Sequence, residues 1–304
     1  MFKNFYRIFV SLLIVLILLT GCSKTNYSYL LKLKIDDLDK QFESKCSIAI
    51  IDTGINPIYY NEHKKNIIEK YNVLDGSQNV NDEHGHGTEM ASVVLGDKET
   101  GLIGINSNAS IMVIKAIDYT GKTDNSNIEK AIEYLLKLND PPDIINLSLG
   151  SLKDDPLLAT EIKQAIDSGI IIVAAVGDYN QKDILYPAAY NGVVSIQAVD
   201  NNNNINVMSN VSELTTLSFP GVNINALNMD NKQKTIQQYS GSSVATILAS
   251  GYFSLIISNC RKQGINITYD KFFDNLMYNI DQDKNLDYKK FIKIKNWRWL
   301  YDEK

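Results

Sequence analysis

The chain has 304 residues, a formal net charge of −5 and 44% hydrophobic residues. That apolar content suffices for the core of one large α/β domain. Its lysines are scattered among acids and asparagines rather than gathered in a stripe, which excludes the electrostatic footprint of a nucleic-acid-binding protein.

The chain opens with Lys3 and Arg7, then an apolar run from Ile8 to Leu19 that ends in Leu19-Thr20-Gly21-Cys22. A membrane-spanning helix needs roughly 20 apolar residues, so this shorter run reads as a signal peptide over residues 1–21. The tetrad resembles a bacterial lipobox, which implies cleavage before Cys22, acylation of its thiol and a lipid-anchored protein on the extracytoplasmic face of a bacterial cell membrane. Each buried acyl methylene contributes about 0.8 kcal/mol. Residues 22–45 are polar and charged and read as a tether, and 46–304 as one domain.

From Cys46 onward, short β-branched runs alternate with helical patterns. Strands are expected at Ser47–Ile51, Ile111–Ile117, Ile144–Leu149, Ile170–Val176 and Val193–Val199, each apolar enough to be buried on both faces. Ile128, Ala131, Ile132, Leu135 and Leu136 share one helical face, with Ser126 or Asn127 available as cap. Leu157–Ile166 reads as a second helix, Asn201–Asn204 as an exposed turn, and the tail from about Tyr269 as one helix with an irregular end. The alternation predicts a three-layer, doubly wound α/β fold with a mostly parallel sheet and a site beyond the carboxyl ends of its strands. Asp52, Ser148 and Asp178 fall at such ends.

Three segments carry chemistry: Asp52-Thr53-Gly54, His84-Gly85-His86-Gly87-Thr88 and Ser240-Gly241-Ser242-Ser243-Val244-Ala245. A serine hydroxyl becomes a nucleophile when a histidine accepts its proton and a carboxylate fixes that histidine. Asp, His and Ser occur here in the chain order of subtilisin-type triads, with small residues flanking each. His63, in a charged stretch, reads as a solvated surface residue.

These motifs resemble those of the subtilisin-like serine proteases over roughly Cys46–Ser258. Ile50-Ile51-Asp52-Thr53-Gly54 is similar to the family's aspartate motif, Gly85-His86-Gly87-Thr88 to its histidine motif, and Gly241-Ser242-Ser243-Val244-Ala245 to its nucleophile motif. The resemblance implies that Ser243 attacks the scissile carbonyl, His86 moves the proton and Asp52 orients His86. It also implies that Ser148, Leu149 and Gly150, in Asn146-Leu147-Ser148-Leu149-Gly150, pair with an extended peptide and wall the primary specificity pocket. A peptide or protein substrate is expected, with no cofactor, and a monomer. Structural calcium is frequent in the family, but no spacing of loop carboxylates assigns a metal site. The short region before Cys46 carries the expectation of no self-removed inhibitory segment, and a short leader with a lipid anchor is similar to proteases that trim the leaders of secreted peptides.

The chain departs from the family at the oxyanion position, where Asp178 in Ala175-Val176-Gly177-Asp178 replaces the usual asparagine. An ionised carboxylate has no proton to give, and losing one such donor costs on the order of 10²–10³ in turnover. A protonated Asp178 would donate and would move activity toward acidic pH. The alternative is a catalytically weak or inactive lipoprotein that uses the same groove for binding. Asp82, Asp178 and the Asp154-Asp155 pair would make the cleft acidic and favour basic side chains, while solvated acidic loops are the preferred reading. Cys46 and Cys260 fall at the pole opposite the site; geometry permits a disulfide, and two separate buried thiols is the preferred reading.

Overall fold

The computed structural model describes residues 46–230, 233–282 and 290–292. The expected signal peptide, Cys22 and the tether up to residue 45 lie outside the described residues.

In chain order, β1 (Ser47–Asp52), α1 (Pro57–Glu62), β2 (Ile67–Asn72) and α2 (His86–Leu95) come first. The short pair β3 (Gly96–Asp97) and β4 (Leu102–Ile103) precedes β5 (Ser110–Lys115), α3 (Asn125–Leu136), β6 (Ile144–Leu147), α4 (Pro156–Asp167), β7 (Ile171–Ala175) and β8 (Val194–Val199). Then come β9 (Leu217–Pro220), β10 (Ile224–Asp230), β11 (Gln233–Tyr239), α5 (Ser242–Lys262), α6 (Tyr269–Asn279), β12 (Ile280–Gln282) and β13 (Lys290–Ile292).

Seven strands form one sheet in the order β2-β5-β1-β6-β7-β8-β9, and every pairing in it is parallel. The three-layer α/β expectation therefore holds. Because side chains alternate along a strand, successive residues of β1 feed opposite layers. Ile48 and Ile50 join the core under α2 and α5, whereas Ala49 and Ile51 join the core under α3 and α4. The inner strands consequently need apolar residues at every position, as their sequences show.

Helix α5 is long and apolar enough to cross a membrane, yet it is almost wholly buried in the protein. Its row of Thr246, Ser250, Ser254 and Ser258 hydroxyls is satisfied by hydrogen bonds inside the core, and the helix places Ser243 in its first turn. The cap of helix α3 lies two residues before the first expected one: Asp124, rather than Ser126 or Asn127, accepts the Asn127 N–H at 2.9 Å. The carboxylate reaches a first-turn N–H that has no intrahelical partner. Asp155 caps α4 in the same way, ahead of Pro156 at its first position.

Several elements were not expected from the sequence. Strands β2 and β9 extend the sheet at both edges, and β10 and β11 form an antiparallel pair whose second strand, Gln-Lys-Thr-Ile-Gln-Gln-Tyr, is mostly exposed. The tail helix α6 is followed by the short β12–β13 pair rather than by an irregular end alone. Cys46 and Cys260 are both buried thiols and are not joined in a disulfide.

Candidate active site

The carboxyl ends of β1, β6 and β7 and the amino ends of α2 and α5 border a cavity of about 950 Å³. His86, Ser148, Leu149, Gly150, Asp178 and Ser243 all line it. Asp52 is buried, and its carboxylate oxygens lie 2.8 and 2.9 Å from His86 Nδ1. The Thr53 N–H also donates to Asp52 Oδ1 at 2.7 Å.

His86 is the first residue of α2, after Gly85 in a left-handed conformation. Its ring is only a quarter exposed. Burial alone pushes the imidazolium down, but the charge and hydrogen bond of Asp52 outweigh it and lift the His86 pKa to about 9. The glycines of the two motifs have a packing reason. A Cβ on Gly87 would lie 2.3 Å from the Gly54 carbonyl oxygen, so the two backbones approach only because Gly87 has no side chain; Gly54 itself has φ +118°, and a Cβ there would lie 2.3 Å from the Val80 carbonyl oxygen.

Ser243 is the second residue of α5. Its hydroxyl donates to the Ser148 carbonyl at 3.0 Å, and the Ser148 hydroxyl donates back to the Ser243 carbonyl at 2.9 Å. Among the described residues no hydrogen bond joins Ser243 to His86, although both face the same cavity.

Asp178 has an occupation that the sequence did not suggest. Both its oxygens lie 2.9 Å from the Ser242 nitrogen, whose N–H they accept, and Oδ2 accepts from the Ser242 hydroxyl at 2.8 Å. These are the bonds of an acceptor, which an ionised carboxylate makes at the start of a helix. All of these contacts run to Ser242, at the start of α5.

Two residues behind the site organise it. Asp82 is not a solvated acid: Oδ1 accepts from the Thr53 hydroxyl and the His84 and Gly85 N–H groups, and Oδ2 from the Thr88 N–H and hydroxyl, at 2.6–3.1 Å. Burial would push Asp82 up, but the hydrogen bonds from Thr88, Gly85 and Thr53 hold it below the usual carboxylate range. Lys115 ends β5 beside Asp52 and is buried. Its ammonium donates to the Thr53 carbonyl at 2.8 Å, the Asn81 carbonyl at 2.7 Å and Glu83 Oε2 at 2.6 Å. Together they tie the turn after Asp52 to the loop before His86. A further link runs from Tyr239, whose hydroxyl donates to Glu89 of α2 at 2.7 Å, so the segment before Ser243 is pinned to the helix that carries His86.

His63 is half-buried against the Tyr59 ring, with centroids 4.3 Å apart, rather than solvated. Glu62, His63 and Asp97 bring potential metal-ligand atoms together, but Lys234 already occupies that cluster, pairing with Glu62, with Asp97 at 2.9 Å and with Glu99 at 3.0 Å. The positive charge that a metal would supply is present as an ammonium.

A carboxylate–imidazole pair and a helix-borne serine are thus brought to the carboxyl edge of a parallel sheet, where the imidazole and the serine line one cavity. The model of the subtilase family matches residues 43–275. Subtilisin DY of Bacillus licheniformis is 33% identical over 220 residues, which cover 69% of this chain and 76% of that protein. The minor extracellular protease Epr of Bacillus subtilis is 32% identical over 212 residues, 69% of this chain but 31% of that protein's length. The thermostable alkaline protease of Halalkalibacterium halodurans is 28% identical and is matched over 58% of its length. A crystal structure of a cold-adapted subtilisin-like serine proteinase superposes with a TM-score of 0.69 at 20% identity, covering 85% of this chain and 96% of that one, a likeness of fold. The chain belongs to the subtilase family.

Replacing Lys115 with methionine strips the buried Thr53 carbonyl and the exposed Asn81 residue's carbonyl of a donor, and is expected to cost about 1–3 kcal/mol. Glu83 is half-exposed, so Glu83→Gln leaves the carbonyl contacts in place and is expected to cost less than about 0.5 kcal/mol. Denaturant titrations of the two variants against the parent measure the difference.

Proposed function

We propose that the protein is a serine endopeptidase that cleaves peptide bonds of extracytoplasmic proteins or peptides, held to the outer face of the membrane through acylated Cys22. The observation that carries this reading is the hydrogen-bonded Asp52–His86 pair opening onto the cavity that also holds the Ser243 hydroxyl. An extended peptide lies beside Ser148, Leu149 and Gly150, adding its backbone to the edge that follows β6. For attack the Ser243 hydroxyl must leave the Ser148 carbonyl, to which it donates at 3.0 Å, and give its proton to the outer ring nitrogen of His86. The proton passes to His86 as the oxygen attacks, and returns to the leaving amine as the acyl-enzyme forms. Asp52 holds the tautomer and stabilises the imidazolium. The Ser243 N–H, in the first turn of α5, is the oxyanion donor, while Asp178 secures the preceding peptide.

A second reading is favoured by one observation. Asp178 accepts hydrogen bonds where a donor is needed, which suits a protein that binds peptides in this groove and cleaves them slowly or not at all. The short tether and anchor also suit a protease dedicated to trimming leader peptides of secreted peptides.

The base must be neutral to act, and His86 is protonated up to about pH 9. Labelling of Ser243 by a fluorophosphonate probe is therefore expected to quicken roughly tenfold per pH unit from neutrality and to level off near pH 9. The same raised pKa contributes stability that is fully present below about pH 6.5, the unfolded histidine value, and is lost as pH rises through about 9. Labelling that persists in Ser243→Ala, or a complete lack of it between pH 6 and 10, rules out the enzyme and leaves the binding protein. Asp178→Asn keeps an acceptor for the Ser242 N–H and adds a donor, so kcat is expected to rise by about 10- to 1000-fold with KM little changed; steady-state kinetics on a peptide substrate checks this. Cys22→Ser is expected to release the protein from the membrane fraction and to abolish incorporation of labelled palmitate. Retention of both signals removes the anchor from the account.

A further inference from the structure

A slot opens off the cavity between two backbone walls, residues 148–150 after β6 and residues 175–177 at the end of β7. Each wall has a glycine where a side chain would meet the same neighbour. A Cβ on Gly150 would lie 2.7 Å from Leu185 Cβ and 3.0 Å from its Cδ1, and a Cβ on Gly177 would lie 2.7 Å from Leu185 Cγ and Cδ1. The Leu185 side chain thus stands between the two glycines.

The chain around Leu185 is fastened to both walls. The Leu185 N–H donates to the Val176 carbonyl at 3.0 Å, and Tyr186 exchanges hydrogen bonds with Ser151, at 2.8 and 2.9 Å. Residues 185 and 186 therefore form the floor that joins the walls. Leu185 is buried and lines the cavity, yet it belongs to neither of the two core clusters described above. Its burial comes from filling the slot, not from packing into the sheet. The first wall also holds the Ser148 carbonyl that accepts from the Ser243 hydroxyl at 3.0 Å.

We propose that Leu185 is a specificity-determining residue that occupies this slot, so that the substrate residue whose carbonyl Ser243 attacks carries a small side chain: glycine, alanine or serine. The proposal rests on the endopeptidase reading for the attack itself, but occupancy of the slot is a property of binding alone. An aromatic ring entering between Gly150 and Gly177 meets the leucine, and its apolar surface stays in water or forces the floor to move. A methyl group meets no such obstacle.

Two measurements separate the slot from the chemistry. Hydrolysis by the full-length protein of succinyl-Ala-Ala-Pro-Ala-p-nitroanilide is expected to exceed that of the Phe analogue by about tenfold or more in kcat/KM. Calorimetric binding to Ser243→Ala of acetylated Ala-Ala-Pro-Ala and Ala-Ala-Pro-Phe, both ending in a free carboxylate, is expected to show the same order without turnover. Leu185→Gly, with Leu185→Ala as the second variant should the first not fold, is expected to shift both ratios toward Phe by about tenfold or more. Equal or better use of Phe by the parent protein, or ratios unmoved in a folded Leu185 variant, overturns the proposal. Selective binding of the Ala peptide with no hydrolysis of either anilide upholds the slot while overturning the protease reading.

Discussion

The Asp52–His86 contact is the interaction on which the rest of the site depends. A buried carboxylate is tolerated because it receives the Thr53 N–H and the imidazole together. The imidazole is in turn charged at neutral pH because that carboxylate is within hydrogen-bond reach. Neither group has an equivalent partner elsewhere, so their geometry must be imposed by the backbone. The parallel sheet supplies the first constraint by ending β1 at Asp52 beside Lys115 of β5. The glycine-to-glycine approach of residues 54 and 87 supplies the second.

Around this pair the protein uses charges as fasteners more than as surface decoration. Asp82 gathers five donors from the two segments that carry Asp52 and His86, and Lys115 gathers acceptors from the same two segments on the other side. Asp178 does the equivalent for the start of α5. One ionised group satisfying several backbone groups is favourable where burial would otherwise leave them unpaired. At Asp178 the same device fastens the peptide before Ser243 to the loop that follows β7.

The sequence made legible the sheet and the segments that bring Asp52 against His86 and place His86 and Ser243 on one cavity, because both signals are local. Continuous β-branched runs mark strands buried on two faces, and small residues around Asp52, His86 and Ser243 mark backbones that must come close to other atoms. What stayed hidden depends on residues distant in the chain. Nothing near Asp82 reveals that Thr53 will donate to it, and nothing near Leu185 reveals that Gly150 and Gly177 will flank it. Strand β11 carries no apolar alternation because it is largely exposed, and the cap of α3 was misplaced by a carboxylate acting from outside the apolar pattern. The partner of Asp178, the Ser242 N–H, was hidden in the same way, because it is set only once α5 begins.

The most direct test is the titration of His86 itself, followed by NMR on the ring nitrogens and the Nδ1 proton. The account predicts a strongly downfield Nδ1 proton at neutral pH, a protonation midpoint near 9, and loss of both in Asp52→Asn. A midpoint near 6.5, the value of an unperturbed histidine, with no downfield proton, would contradict it.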